Sequence, residues 1–154
     1  MNILYFASVD FYAKPNPSFH LMASMITDLL DAGIGVNFVG CSLSGIENHI
    51  PEEIASRDGF KYRLIDIPNT PKSSFVKRYL DGITYARKAR KHLKAFVSQS
   101  DIVFAQSSPT ALFNISEIRR LVSKQKIIYN VQDMFPGSSI ASGVMPQKWM
   151  QRVF

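Results

Sequence analysis

The sequence predicts a doubly wound α/β domain: a Rossmann-like parallel sheet in a three-layer αβα arrangement. Three observations lead there. Short, almost wholly apolar runs recur along the chain, as in strands buried on both faces. Each is followed by a stretch whose apolar residues return every three to four positions. The alternation repeats five times within 154 residues, a length that suits a single domain.

In chain order, Ile3 to Val9 (ILYFASV) reads as the first buried strand. A loop from Asp10 to Pro17 leads to a helix start at Asn16-Pro17, because Asn caps well and Pro is tolerated at the first helical position. Leu21, Met22, Met25, Ile26, Leu29 and Leu30 form its apolar stripe, and Gly33 closes it. Val36 to Val39 is the second strand, with a Gly- and Ser-rich loop expected over Gly40 to Gly45. Pro51 to Ala55 reads as a short helix, Phe60 to Ile67 as the third strand and Phe75 to Val97 as a long helix. Asp101 to Ala105, Thr110 to Lys124 and Lys126 to Val131 supply the fourth strand, its helix and the fifth strand. Pro146 opens a last helical stretch through Trp149, Met150, Val153 and Phe154. Its apolar face has barely begun where the chain stops, so the 154 residues are expected to be the N-terminal piece of a longer protein.

Charge narrows the choice of partners. Lys plus Arg number 18 and Asp plus Glu 12, a net +6. Eight of the bases and a single acid, Asp81, lie between Lys72 and Lys94, a surplus of +7; the remaining ten bases and eleven acids leave the rest of the chain at −1. The basicity therefore belongs to one helix. Composition excludes other classes. Apolar residues make up 46%, too many for a disordered chain. No apolar run approaches the ~20 residues of a membrane-spanning helix. The lone Cys41 provides no disulfide framework, and the opening Met1-Asn2-Ile3 shows no basic leader or cleavage site, so a cytoplasmic protein is expected.

In a parallel sheet, ligands bind beyond the carboxyl ends of the strands. The loop after the first strand contains no glycine, which excludes the G-x-G-x-x-G dinucleotide fingerprint and a Walker A loop. His20, in the first turn of the following helix, suits acid–base chemistry or a solvated surface position. Asp133 follows the fifth strand directly. A carboxylate there serves either as a general base toward an acceptor hydroxyl or as a cap on the following turn. One Cys and three scattered His make no metal-ligand spacing, so no metal is expected, and Ser107-Ser108 lacks the G-x-S-x-G of a hydrolase elbow. A flavodoxin-like or receiver domain shares the same alternation; the single Asp10 after the first strand, in place of an acidic cluster, argues against a receiver.

Three segments carry a family resemblance. Leu30 to Val39 (LDAGIGVNFV) is similar to an "L-x-x-x-G-H-x-V-x-V" step, and Ser100 to Pro109 (SDIVFAQSSP) to a "D-V-V-x-x-x-x-P-P" strand and loop. Asn130-Val131-Gln132-Asp133-Met134-Phe135-Pro136, continuing to Gly143-Val144, is similar to a "V-x-D-x-(W/F/Y)-P-…-G" block. Together they resemble the N-terminal, acceptor-side half of GT-B fold glycosyltransferases, most closely family 4 enzymes that build bacterial O-antigen and capsule. Two positions depart from the pattern. Asn16-Pro17 stands where many members have Gly-Gly. Gln132 stands where many have His, so no histidine mechanism carries over to it.

The resemblance implies retaining transfer of a sugar from a nucleotide-sugar donor to a hydroxyl of a saccharide or lipid-linked saccharide. It implies no cofactor, with the nucleotide-sugar held as co-substrate mainly by a C-terminal domain absent from this chain. Residues 1–154 would then be inactive alone, with Asp133 catalytic and Asp10, Asn16, His20, Ser107, Ser108 and Gln132 binding the acceptor. The alternative is a stand-alone binding subunit that acts with a separate catalytic chain. On the long helix, Phe75, Tyr79, Ile83, Ala86, Leu93 and Val97 fall on one side, while Lys77, Arg87, Lys88, Lys91 and Lys94 fall on or near the other. That basic side is a solvated face or, as the resemblance suggests, a contact with the anionic inner surface of the cytoplasmic membrane. No recognition module supports nucleic acid as the partner.

Overall fold

The computed structural model describes residues 1–10, 17–45, 50–71, 74–106 and 111–131, and the structural statements below concern these. Five strands, β1 (Asn2–Asp10), β2 (Gly35–Leu43), β3 (Phe60–Ile67), β4 (Ile102–Gln106) and β5 (Lys126–Asn130), pair in the order β3-β2-β1-β4-β5. Every pairing is parallel. Four helices connect them: α1 (Pro17–Asp31), α2 (Glu52–Ala55), α3 (Phe75–Val97) and α4 (Ala111–Leu121). The fold is the Rossmann-like α/β domain expected. Its strand order excludes the flavodoxin-like topology, which runs 2-1-3-4-5.

The chain starts in the middle of the sheet, winds outward through β2 to the β3 edge, then crosses back to β4 on the far side of β1. The reversal puts the helices on opposite faces. Alternation along β1 shows both layers. Leu4 and Phe6 join the core under α3 and α4, with Tyr85, Ala89, Leu93 and Ile118. Tyr5 and Ala7 join the core under α1 and α2, with Met22, Ile26, Phe38 and Ile54.

Local chemistry ends α1 where expected. Gly33 takes φ of +72°, a left-handed conformation that costs other residues energy. Its N–H bonds to the Leu30 carbonyl at 3.0 Å, and the Ile34 N–H to the Leu29 carbonyl at 2.9 Å, the two bonds of a Schellman closure. Two residues on, Gly35 has no room for a Cβ beside the Asn2 side chain, so the strand that follows begins on a glycine.

Several expectations change in the folded chain. Gly40, Cys41, Ser42 and Leu43 are not in a loop: they extend β2 and pair with Leu64, Ile65, Asp66 and Ile67. The eight-residue β3 offers a full ladder, and that ladder outweighs the turn preference of Gly and Ser. Asp10 does not open a loop; it is the last residue of β1, opposite Cys41 after a register shift. Leu21 is not core but 61% exposed, because the buried face of α1 is centred on Met22 and Ile26. Tyr85, absent from the expected apolar side of α3, is among the largest fully buried side chains. The stretch 146–154 lies outside the described residues.

The two edges of the sheet differ. β3 exposes Lys61, Arg63 and Asp66, charges that discourage pairing with another strand. β5 instead exposes Ile127, Ile128 and Tyr129, and Val131 follows, also exposed.

Candidate functional site

The sheet reverses its winding between β1 and β4, and their carboxyl ends form the crevice where ligands bind in this topology. Asp10 ends β1, Gln106 ends β4, and Asn130 pairs with Gln106 at the end of β5. The first turn of α1 faces the same edge, since α1 connects the carboxyl end of β1 to the start of β2.

Under the crevice the described residues form a small polar pair in an apolar setting. The Tyr5 hydroxyl donates to Gln106 Oε1 at 3.4 Å, and both residues are buried. Tyr5 is level with Phe104 in the β-ladder, so its ring leans toward the carboxyl edge to reach Gln106. The ring also meets Phe38 and Phe104 edge-on, at centroid distances of 5.6 and 5.0 Å. Burial pushes the Tyr5 phenol up to about 12, so it stays protonated and serves as a hydrogen-bond donor, not a base. Tyr5 and Gln106 were not among the expected site residues. The available signal was a polar residue closing an apolar strand, IVFA followed by Gln106.

Of the expected residues, His20 is in the first turn of α1, exposed, its ring edge-on to Phe19 at 5.6 Å. Asp10 is placed at the carboxyl edge by its backbone. Asn16, Ser107, Ser108, Gln132 and Asp133 lie outside the described residues; the segments holding them follow the carboxyl ends of β1, β4 and β5 in the chain. Among the described residues, no cluster of three His, Cys, Asp or Glu could hold a metal ion.

A second polar group lines the same edge farther out. The Ser42 hydroxyl donates to Asp66 at 2.7 Å, and Lys88 Nζ donates to the Asp66 carbonyl at 3.1 Å. Thr70 donates to Asp81 at 2.6 Å, tying the segment after β3 to α3. Lys77, Arg87, Lys88, Lys91 and Lys94 are all exposed, so the basic side of α3 faces water as expected.

No family model matches the chain, and no curated protein matches it. Among solved structures it is similar to the C-terminal domain of a hydrogenase from Pyrococcus furiosus. The identity is 10% and the TM-score 0.58, over 84% of this chain and 89% of that one. At that identity the likeness is one of fold. Among the described residues, no helix is long and apolar enough to cross a membrane.

Proposed function

We propose that this chain is the acceptor-side domain of a retaining glycosyltransferase, moving a sugar from a nucleotide-sugar donor to a hydroxyl of a lipid-linked saccharide in polysaccharide biosynthesis. The observation that carries the reading is the β3-β2-β1-β4-β5 order. It turns three segments distant in sequence toward one crevice: the end of β1 at Asp10, the end of β4 at Gln106, and the end of β5, after which the Asp133 block begins. The sequence resemblance supplies the chemistry.

In this reading the acceptor enters over the β1–β4 crevice. Asp133 accepts the proton of the attacking hydroxyl, and Asp10, Asn16, His20, Ser107, Ser108 and Gln132 hold the saccharide. The nucleotide belongs to a second Rossmann-like domain, because the loop after β1 lacks the glycines that bring backbone close to a pyrophosphate. No cofactor takes part.

The test is transfer of labelled sugar from nucleotide-sugars to membrane-extracted acceptors by the full-length protein, wild type and Asp133→Asn. Wild-type transfer, reduced about 10²- to 10⁴-fold in the variant, is the outcome expected of a lost general base. Near-normal turnover of the variant removes Asp133 from the chemistry. No transfer with any donor removes the glycosyltransferase reading and favours a stand-alone binding subunit.

A further inference from the structure

The outward side of α3 carries more than charge. Val76 and Leu80 are 58% and 55% exposed, an unusual setting for apolar residues in a helix whose other face is deep in the core. At 3.6 residues per turn, Val76, Leu80, Arg87, Lys91 and Lys94 fall in one stripe, spaced by four, seven, four and three. Lys77 and Lys88 flank it, Thr84 fills it, and no acid lies within it. Among the described residues, Lys77, Arg87, Lys91 and Lys94 make no salt bridge; the bridges near α3 join Glu117 of α4 to Arg90 and Arg120.

The polar contacts of α3 fix where the apolar end of the stripe lies. The Tyr85 hydroxyl bonds to the carbonyl of Ala7, near the end of β1. At the other end of the helix, Ser100 accepts from Asn37, whose ladder partner is Leu4 near the start of β1. The helix therefore runs against the strands, and Val76 and Leu80, two turns before Tyr85, stand at the carboxyl edge. The stripe extends about 27 Å from Val76 to Lys94 at 1.5 Å per residue.

We infer that this stripe is a docking surface for an anionic lipid bilayer, with α3 lying in the plane of the interface. Val76 and Leu80 enter the headgroup boundary while Arg87, Lys91 and Lys94 face lipid phosphates. A surface helix binds a bilayer through both apolar area and attraction to anionic headgroups, and the stripe holds both along one line. A phosphate polymer such as a nucleic acid matches the bases but gives no role to two exposed aliphatic side chains. Docking this way brings the carboxyl edge of the sheet to the membrane surface. Only the benefit of that placement, access to a lipid-linked acceptor, rests on the glycosyltransferase reading; the docking itself rests on α3.

Flotation of the full chain with phosphatidylcholine vesicles, with and without phosphatidylglycerol and free of any acceptor, tests the docking independently of catalysis. The wild type should float only with the anionic vesicles, and less as salt shortens the Debye length from about 10 Å at 0.1 M. Arg87→Gln/Lys91→Gln/Lys94→Gln should lower partitioning by well over tenfold, since each base near an anionic surface is worth about a factor of five. Val76→Ser/Leu80→Ser should weaken binding several-fold and leave its salt dependence unchanged. All five side chains are exposed, so unchanged melting curves are expected and identify the losses as surface effects. The inference is overturned if the wild type does not float at low salt, or if the serine variant floats like wild type. Binding to a DNA oligonucleotide as tight as to anionic vesicles, and indifferent to Val76 and Leu80, overturns it in favour of a general polyanion site.

Discussion

The two faces of the sheet are held by different forces. Under α1 and α2 the contact is almost wholly apolar: Met22, Ile26 and Leu30 pack on Tyr5, Val36 and Phe38, with Tyr5–Gln106 as a polar pair. Under α3 and α4, directional bonds run through the core. Tyr85 donates to Ala7, Asn37 to Ser100, Ser100 to Phe96, and Gln125 to the Val97 carbonyl. Arg90 and Arg120 converge on the nearly buried Glu117, joining α3 to α4. The difference follows from topology. α1 links two neighbouring strands and has little freedom in where it lands. α3 leaves the β3 edge and must cross β2 and β1 before reaching β4, touching all three on the way. Apolar contact is non-directional, so it stabilises such a helix without setting its position along the sheet. Hydrogen bonds with narrow geometry set that position.

Substitutions on the two faces should therefore fail differently, and four of them sharpen the contrast. Phe38→Ala, on the apolar face, should have the largest effect: about 3–5 kcal/mol lost in urea unfolding, from burial and the cavity left behind. A loss below 1 kcal/mol would mean that this face is not the tightly packed one. Tyr85→Phe keeps the ring and removes the 2.6 Å bond, leaving the Ala7 carbonyl in need of a partner. A loss of about 1–3 kcal/mol is expected from the same measurement. If α3 relies on direction more than area, amide exchange should rise along the whole of α3, not at the Tyr85 turn alone. Gly33→Ala forces a side chain into φ of +72° at the end of α1 and should cost about 1–2 kcal/mol.

The smallest effect at neutral pH is expected for Glu117→Gln, and its signature is pH dependence. Hydrogen bonding from Arg90 holds the Glu117 carboxyl below its ordinary value of 4.5, with the charges of Arg90, Arg120 and Arg87 acting in the same direction against desolvation. A carboxyl lowered by folding contributes stability above its unfolded pKa and loses it as the pH falls through the folded one. The wild type should thus lose more stability below about pH 4.5 than the Gln variant does. Parallel urea midpoints for the two proteins across the acid range would remove Glu117 from the α3–α4 tie.

Much of the framework was legible in the residues themselves. Pro17 starts α1, Gly33 ends it, and the bounds of β3 and α3 follow apolar periodicity directly. The length of β2 was not legible, because Gly40 and Ser42 favour turns when taken alone and enter a strand only when β3 lies alongside. Tyr85 was missed because its phenol suggests a partly exposed position. It is buried because the carbonyl of Ala7, 78 residues away, accepts its proton. The candidate site was legible as three segments at the ends of strands. Tyr5 and Gln106 beneath it came into view only with β1 and β4 side by side.

By itself, then, the sequence determined the alternation of five strands and their helices, the closing turn of α1 and the concentration of positive charge on α3. Each depends on residues within a few positions of one another, where period, caps and charge act locally. Only the tertiary structure decided the order β3-β2-β1-β4-β5, the face to which each helix belongs, the burial of Tyr85 and the exposure of Val76 and Leu80. These depend on which strand edge finds which partner and on what then lies across it, and the contacts responsible join residues from 22 to 101 positions apart.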